Sequence, residues 1–335
     1  MPTVRTRRTR ILLRILRALS VAAMIAFGVR HARPGTAKYA SLVGVPASTE
    51  SVGRRLRVTF VGTATLLFDD GETAWMTDAF FDRVRMARVA FGTIAPDPVR
   101  VRATLARLGV TKLAAVVPIH SHYDHALDSA LVANETGALL VGSRSTANLG
   151  RGGGVVESRI RVVSHGETLA FGRFKVTFFV SEHSPGDHYP GTIDAPVVPP
   201  ARANAWKTGE CYALLVEHDG RSILVNGSSG FRKGLFGGRH ADVVYLGIGS
   251  IGRLDASFRE DYWNEVVRAV TPGRVFAIHW DDFFVPLDEP LVPLPWIADD
   301  MDTTMDFLLA KGASERVDVR IPAVFVPEDP FAGLP

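Results

Sequence analysis

Three histidines and an aspartate fall within the six residues His120, Ser121, His122, Tyr123, Asp124 and His125, directly after the apolar stretch 113–118. An apolar run of that length reads as a buried strand, so the imidazoles emerge at a strand end. Alternation along extended backbone puts His120 and His122 on one side, while Asp124 and His125 point elsewhere. One loop can thus feed two neighbouring cation positions. Imidazole nitrogen and carboxylate oxygen suit zinc and related divalent ions. Solvation alone does not call for three histidines at this spacing. The run therefore restricts the fold to one in which a buried strand opens into a metal-binding loop.

Short apolar or alternating segments predict strands at 57–61, 65–68, 113–117, 138–141, 161–163 and 174–180. A second set follows at 212–216, 222–225, 242–246, 275–278 and 324–326, with helical patterns at 98–108, 127–135, 257–270 and 301–310. Strand-rich halves with interspersed helices suit two sheets between helix layers, an α+β architecture. The glycine-rich pieces 150–154 and 236–238 lack the strand, helix and lysine of a phosphate loop and read as turns. Cys211, the single cysteine of 335 residues, excludes an intrachain disulfide, and within the apolar segment 211–216 it reads as a small buried hydrophobe.

The run His120 to His125 resembles the HxHxDH signature of the metallo-β-lactamase superfamily, and other pieces agree in order along the chain. Thr77 and Asp78, in WMTDAFFDR, look like the early strand-end aspartate of the lactonase-like and phospholipase-like branches. His183 stands where the third ligand of a first metal belongs. His279, followed by Trp280, Asp281 and Asp282, matches the late histidine of a second. The likeness covers residues 56–326 and implies a four-layer αββα sandwich. It also implies that His120, His122 and His183 hold a first ion, expected to be zinc, and that Asp124, His125 and His279 hold a second. Asp124 is the implied catalytic residue, orienting the attacking water or moving its proton where the second position is empty. Asp78 would fix a histidine tautomer from outside. Asp187, His188, Asp281 and Asp282 are weaker candidates for outer support, and Trp206, Phe231, Trp280, Phe283, Phe284 and Trp296 line either a substrate cleft or the core.

One departure stands out. The family's turn that carries a bridging aspartate corresponds here to ILVNGSSGF, which puts Ser228 at the bridging position. A neutral hydroxyl replaces a carboxylate poorly as a metal ligand, so the second site is expected to be weak. The motif order looks most like the branch containing L-ascorbate 6-phosphate lactonase and the N-acylphosphatidylethanolamine-hydrolysing phospholipase D. The resemblance thus implies a hydrolase whose metal-bound hydroxide attacks an ester, lactone or phosphodiester in a small-molecule or lipid substrate. The apolar segment 287–300 leans toward a lipidic one. A metal- or ligand-binding protein on a degenerate hydrolase scaffold is the alternative that Ser228 keeps open.

Charge narrows the partners. Of 38 basic and 35 acidic groups, residues 1–55 hold 11 and 1, which leaves 27 basic against 34 acidic in residues 56–335. That body lacks the cationic excess from which polyphosphate binding draws its affinity, so no nucleic-acid partner is expected. Residues 1–30 join a basic cluster to the apolar run 18–29 between Arg17 and Arg30. The run suits a signal-peptide core or a tilted anchor with snorkelling arginines, or else an amphipathic helix on an anionic membrane. The protein is accordingly expected at the cell envelope, exported or membrane-anchored. Residues 31–55 mix Pro, Gly and Ser without periodicity and read as a linker, and residues 56–335 as one domain that draws its ligands from both halves.

Overall fold

Leu66 and Phe68 face one apolar cluster, and Leu67 between them faces another. Likewise Val243 and Tyr245 turn to the first cluster and Val244 to a third. This period of two is what a strand covered on both faces requires. A computed structural model describes residues 32–45 and 56–335, together with residues 9, 12–17, 19–21, 24 and 28.

The first sheet runs in the order β14 (Pro327–Glu328), β1 (Arg57–Gly62), β2 (Thr65–Asp69), β3 (Ala74–Thr77), β4 (Ala115–Val117), β5 (Leu139–Gly142) and β6 (Ile160–Val162). The second runs β13 (Asp318–Arg320), β12 (Arg274–Ile278), β11 (Val243–Gly247), β10 (Arg221–Asn226), β9 (Cys211–His218), β8 (Phe174–Ser181) and β7 (Thr168–Phe171). Each sheet is antiparallel at one end and parallel from its middle outward, at β3 to β6 and at β10 to β13. The cluster between the sheets contains Phe60, Trp75, Phe178, Tyr212 and Phe276, with Trp75 stacked on Phe68 at 4.4 Å between ring centroids. Burying each such ring contributes about 1.5–3 kcal/mol. Helices Pro98–Arg107 and Ser129–Thr136 cover the outer face of the first sheet, and Met301–Glu315 that of the second. The result is the αββα sandwich that the sequence implies.

Local chemistry explains the helix limits. Asp97 accepts Val99 N–H ahead of Pro98, and Asp300 accepts Thr303 N–H, so both long helices start on carboxylate caps. Met301–Glu315 outruns the expected 301–310 because Gly312 is a packing glycine: a Cβ there would lie 2.7 Å from Val317 O. The turn expected at 150–154 is in part the end of an unpredicted helix, Arg144–Gly152. Its Gly150 lets it approach β5, since a Cβ would meet Leu140 Cδ2 at 2.6 Å. The strand expected at 324–326 is displaced to β14, because Phe325 takes a left-handed φ of 60°.

The segment expected as a linker behaves differently over residues 32–45. It carries a 3-10 helix, Ala37–Leu42, whose Tyr39 is buried and donates to Asp302 Oδ1 at 2.8 Å, and Arg33 pairs with Asp282 at 2.6 Å. Single side chains dock it, so no periodicity announces the contact. The rest of the linker, 46–55, and most of the expected signal or anchor at 1–30 lie outside the described residues. No helix among the described residues is long and apolar enough to cross a membrane.

Candidate metal centre

Strands β3, β4, β8, β10 and β12 are followed directly by Asp78, the loop 118–122, Glu182 and His183, Gly227 and Ser228, and His279. Residues far apart in the chain thus meet at one edge of the sandwich, the edge at which open α/β sheets also carry their sites. His122 caps the short helix Tyr123–Ala126, which presents Asp124 and His125.

Two donor groups result. The ligand atoms of His120, His122 and His183 lie within 4.8 Å of one another, and so do those of Asp124, His125 and His279. His120 Nε2 is 3.1 Å from His122 Nδ1. In the second group His125 Nε2 is 3.2 Å from His279 Nε2, and Asp124 Oδ2 is 3.7 Å and 3.6 Å from these two nitrogens. The groups adjoin, with the His120 and His125 rings 3.9 Å apart. All six residues that the sequence put forward as ligands are therefore brought together.

The opposite ring nitrogens of His122, His125 and His183 suit these sets to divalent ions, while His279 Nδ1 is buried without a hydrogen-bond partner. His125 Nδ1 donates to Asp78 Oδ2 at 2.7 Å, and His183 Nδ1 to Ser184 O at 2.8 Å. His122 Nε2 faces Tyr189 O at 3.3 Å, Thr208 Oγ1 at 3.1 Å and Asp187 Oδ1 at 3.2 Å. Each outward N–H fixes a tautomer whose lone pair points inward, as metal-ligating histidines require. Burial, then the neighbouring imidazoles, hold His120 well below its ordinary pKa, and burial with His122 brings His183 down to about 4. Both are neutral near pH 7 and ready to coordinate. At Asp124, burial pushes the carboxyl up, but His125 and His279 outweigh it and hold it below the usual range.

Asp78 occupies the supporting place expected of it, since its other oxygen accepts Ile119 N–H at 2.7 Å. Ser228 belongs to neither group: its hydroxyl accepts Ser184 N–H at 3.0 Å, beside His183. No other carboxylate joins the donor groups in its stead among the described residues. Asp187 lies on the outer side of His122, and Asp281 forms a fully buried ion pair with Arg83 at 2.5 Å. Asp282 pairs with Arg33 and accepts Phe284 N–H, while His188 is exposed. Of the aromatic candidates, Phe283 borders the site, 6.0 Å from the His279 ring and 6.4 Å from Tyr123. Trp206 and Trp280 are core, and Phe231 packs on Phe258 and Tyr262. Burial pushes the Cys211 thiol up to about 12, which keeps it the neutral hydrophobe expected.

Asp281 is one of the weaker candidates for outer support, while its partners Arg83 and Thr63, and the residue Asp128, escaped the sequence reading. Asp281 accepts Thr63 N–H at 2.9 Å, and Thr63 O accepts His279 N–H at 2.7 Å, so the Arg83–Asp281 pair sets the position of His279. Gly62 is required beside it, because a Cβ there would lie 2.0 Å from Arg83 Nη2. Thr63, Asp78 and His279 all take left-handed φ values, 52°, 55° and 57°, which marks the backbone around the site as strained. Asp128 Oδ2 accepts Phe81 and Asp82 N–H, both at 2.7 Å, and burial pushes its carboxyl up to about 7. An aspartate three residues after the HxHxDH run was the one visible trace of that brace.

Comparison with known proteins gives the same picture. A profile described as Beta-lactamase superfamily domain matches residues 74–280. A UPF0173 metal-dependent hydrolase of Heliobacterium modesticaldum is 24% identical over 268 residues, 77% of this chain and 95% of that protein. The structure of Igni18, a metallo hydrolase of the archaeon Ignicoccus hospitalis, is similar with a TM-score of 0.51 at 13% identity, covering 81% of this chain and 97% of that one. CmlA, a diiron β-hydroxylase of Streptomyces venezuelae, is similar with a TM-score of 0.50 at 16% identity, over 82% of this chain and 54% of CmlA.

Proposed function

The chain belongs to the beta-lactamase superfamily and is a metal-dependent hydrolase of that group, and from that premise we propose that it uses zinc to cleave an ester, lactone or phosphodiester bond in a substrate with an apolar portion. The observation that carries the reading is the pair of adjoining donor groups, His120, His122, His183 and Asp124, His125, His279, with aromatic residues beside them. A degenerate scaffold would have no reason to keep every outward ring nitrogen of His122, His125 and His183 engaged.

A divalent ion held by these residues would supply Lewis acidity, making a water nucleophilic near neutral pH and polarising the scissile group. The protein's own part follows from the geometry. The three imidazoles of His120, His122 and His183 would hold the first ion. The Asp124 carboxylate, ionised throughout the neutral range, accepts a hydrogen bond from the attacking water and takes or passes on its proton. Tyr123, Tyr189 and Phe283 stand around the centre and present apolar rings to the substrate. With Ser228 in place of a carboxylate, one ion would be held tightly and a second weakly. Elemental analysis of protein purified without added metal, with turnover of matched long- and short-chain esters, lactones and phosphodiesters before and after chelation, tests this. Chelator-insensitive turnover, or a preference for fully polar substrates, would overturn it.

A further inference from the structure

The body of the protein is acidic in total, yet one face runs against that balance. Phe91, at the end of the helix Met86–Phe91, is 84% exposed, Val99 is 74% and Val198 is 68%. An antiparallel bridge joins their segments: Ile94 N–H donates to Ala201 O at 2.7 Å and Ala201 N–H to Ile94 O at 3.1 Å. Beside the bridge opens a recess of ≈ 310 Å³ with no charged residue in its wall, rimmed by Pro96, Pro98, Val197 and Pro199. Leu127, at its inner wall, directly follows the helix that carries Asp124 and His125.

Charge on this face is uneven as well. Arg85, Arg88 and Arg202 are exposed on the same segments. Among the described residues no carboxylate forms a salt bridge with these three, although Arg88 is close enough to act on the Asp82 carboxyl and donates to Thr93 O at 2.9 Å, whereas Arg100 is met by Asp82 at 3.8 Å and Asp97 at 3.7 Å. Asp194 is an exposed acid nearby in the chain and accepts from Thr192. Exposed aliphatic and aromatic side chains flanked by unpaired guanidiniums match the division of an interfacial surface: apolar groups enter the acyl boundary while arginines meet lipid phosphates. A protein partner that merely covered the apolar residues would leave Arg85 and Arg202 uncompensated.

We propose that this face docks on an anionic lipid bilayer, with Phe91, Val99 and Val198 entering the interface and the recess receiving an acyl chain. The inference is independent of the substrate proposed above, since an enzyme acting on any ester could dock in this way.

Cys211 is buried, so a thiol introduced in the full-length chain is labelled selectively. Val198→Cys would carry an environment-sensitive fluorophore. Ser314→Cys, on the exposed end of Met301–Glu315, is the control. With vesicles of phosphatidylcholine and phosphatidylglycerol the probe at 198 should shift to the blue and become shielded from an aqueous quencher, and the probe at 314 should not. Adding Phe91→Ser and Arg202→Ser should raise the lipid concentration for half the shift by about tenfold or more. A probe at 198 that responds no more than that at 314 overturns the proposal, even where the chain sediments with vesicles through another segment. An equal response to phosphatidylcholine alone overturns the anionic requirement. A response to monomeric decanoate with none to vesicles makes the recess a small-ligand site and overturns bilayer docking.

Discussion

The two donor groups lie side by side but are built on different principles. His120, His122 and His183 are three imidazoles that burial and mutual proximity keep neutral, and two of them turn their outward nitrogens to backbone carbonyls. Asp124, His125 and His279 include a carboxylate. Burial lowers His125, but the Asp78 and Asp124 carboxylates outweigh it and raise its pKa overall. On the reading proposed above, a cation would enter the first group without displacing a proton. At the second it would compete with a proton on His125, and no bridging carboxylate at residue 228 would offset repulsion from the first ion. Position alone does not make two equal metal sites; the electrostatics of the surrounding groups ranks them.

The sharpest way to break this ranking is to remove a donor from the first group. His120→Ala or His183→Ala should reduce both ion content and turnover to background, as measured by elemental analysis and a chelator-controlled assay. Retention of one tight ion would mean that the second group is the stronger. Next in size, Asp124→Ala should lower turnover by about 10²–10⁴-fold, the range of general acid–base catalysis, while first-ion content stays near that of the parent. Equal losses in both would reduce Asp124 to a ligand.

The outer carboxylates separate the groups more finely. Asp78→Asn and Asp187→Asn should each weaken ion affinity by about 10–100-fold, the usual effect of altering an outer carboxylate beside a ligating histidine: Asp78 accepts from His125 Nδ1, and Asp187 stands 3.2 Å from His122 Nε2. The first should act on the second ion and the second on the first. Titration against a chromophoric chelator decides this, and the idea of separate supports fails if both variants weaken the same ion. Ser228→Asp should strengthen the second ion by about tenfold, or 1.4 kcal/mol, by calorimetric titration of stripped protein. Unchanged affinity would show that residue 228 is not a bridging position.

The smallest effect is the pH dependence. His125 is raised, so its proton competes with a cation from a higher pH, and second-ion affinity should begin to fall first as the solution is acidified. His120, His122 and His183 are lowered, so first-ion affinity should persist further into acid. Parallel loss of both ions on acidification would contradict the ranking.

Much of the fold was legible because strands with both faces covered read as short, almost unbroken apolar runs, as in 113–117 and 212–216. Strands β3, β7 and β13 and the helices Met86–Phe91 and Arg144–Gly152 escaped as elements. The three strands are only three or four residues long, and Arg144–Gly152 contains Gly150 and Gly152, which local propensity treats as breakers and packing treats as necessities. In the site the six donors were visible in the HxHxDH run and in histidines at later strand ends. Asp187 and Asp281 were legible only as weaker candidates for outer support; their partners Thr208 and Arg83, and the brace from Asp128 to the amides of Phe81 and Asp82, were not.

The division follows from the range over which each cause acts. Side-chain chemistry and apolar runs are properties of neighbouring residues, so the sequence pointed to a buried strand opening into a histidine-rich loop, and its resemblance to a known family implied the two-sheet sandwich. Which nitrogen of each imidazole faces inward is settled by partners 47 residues away for His125 and 86 for His122. The left-handed turns at Thr63, Asp78 and His279 are strained conformations that only the assembled strand ends hold in place. Those depend on convergence in space, and that is why the tertiary structure, and not the motif, distinguishes the first metal position from the second.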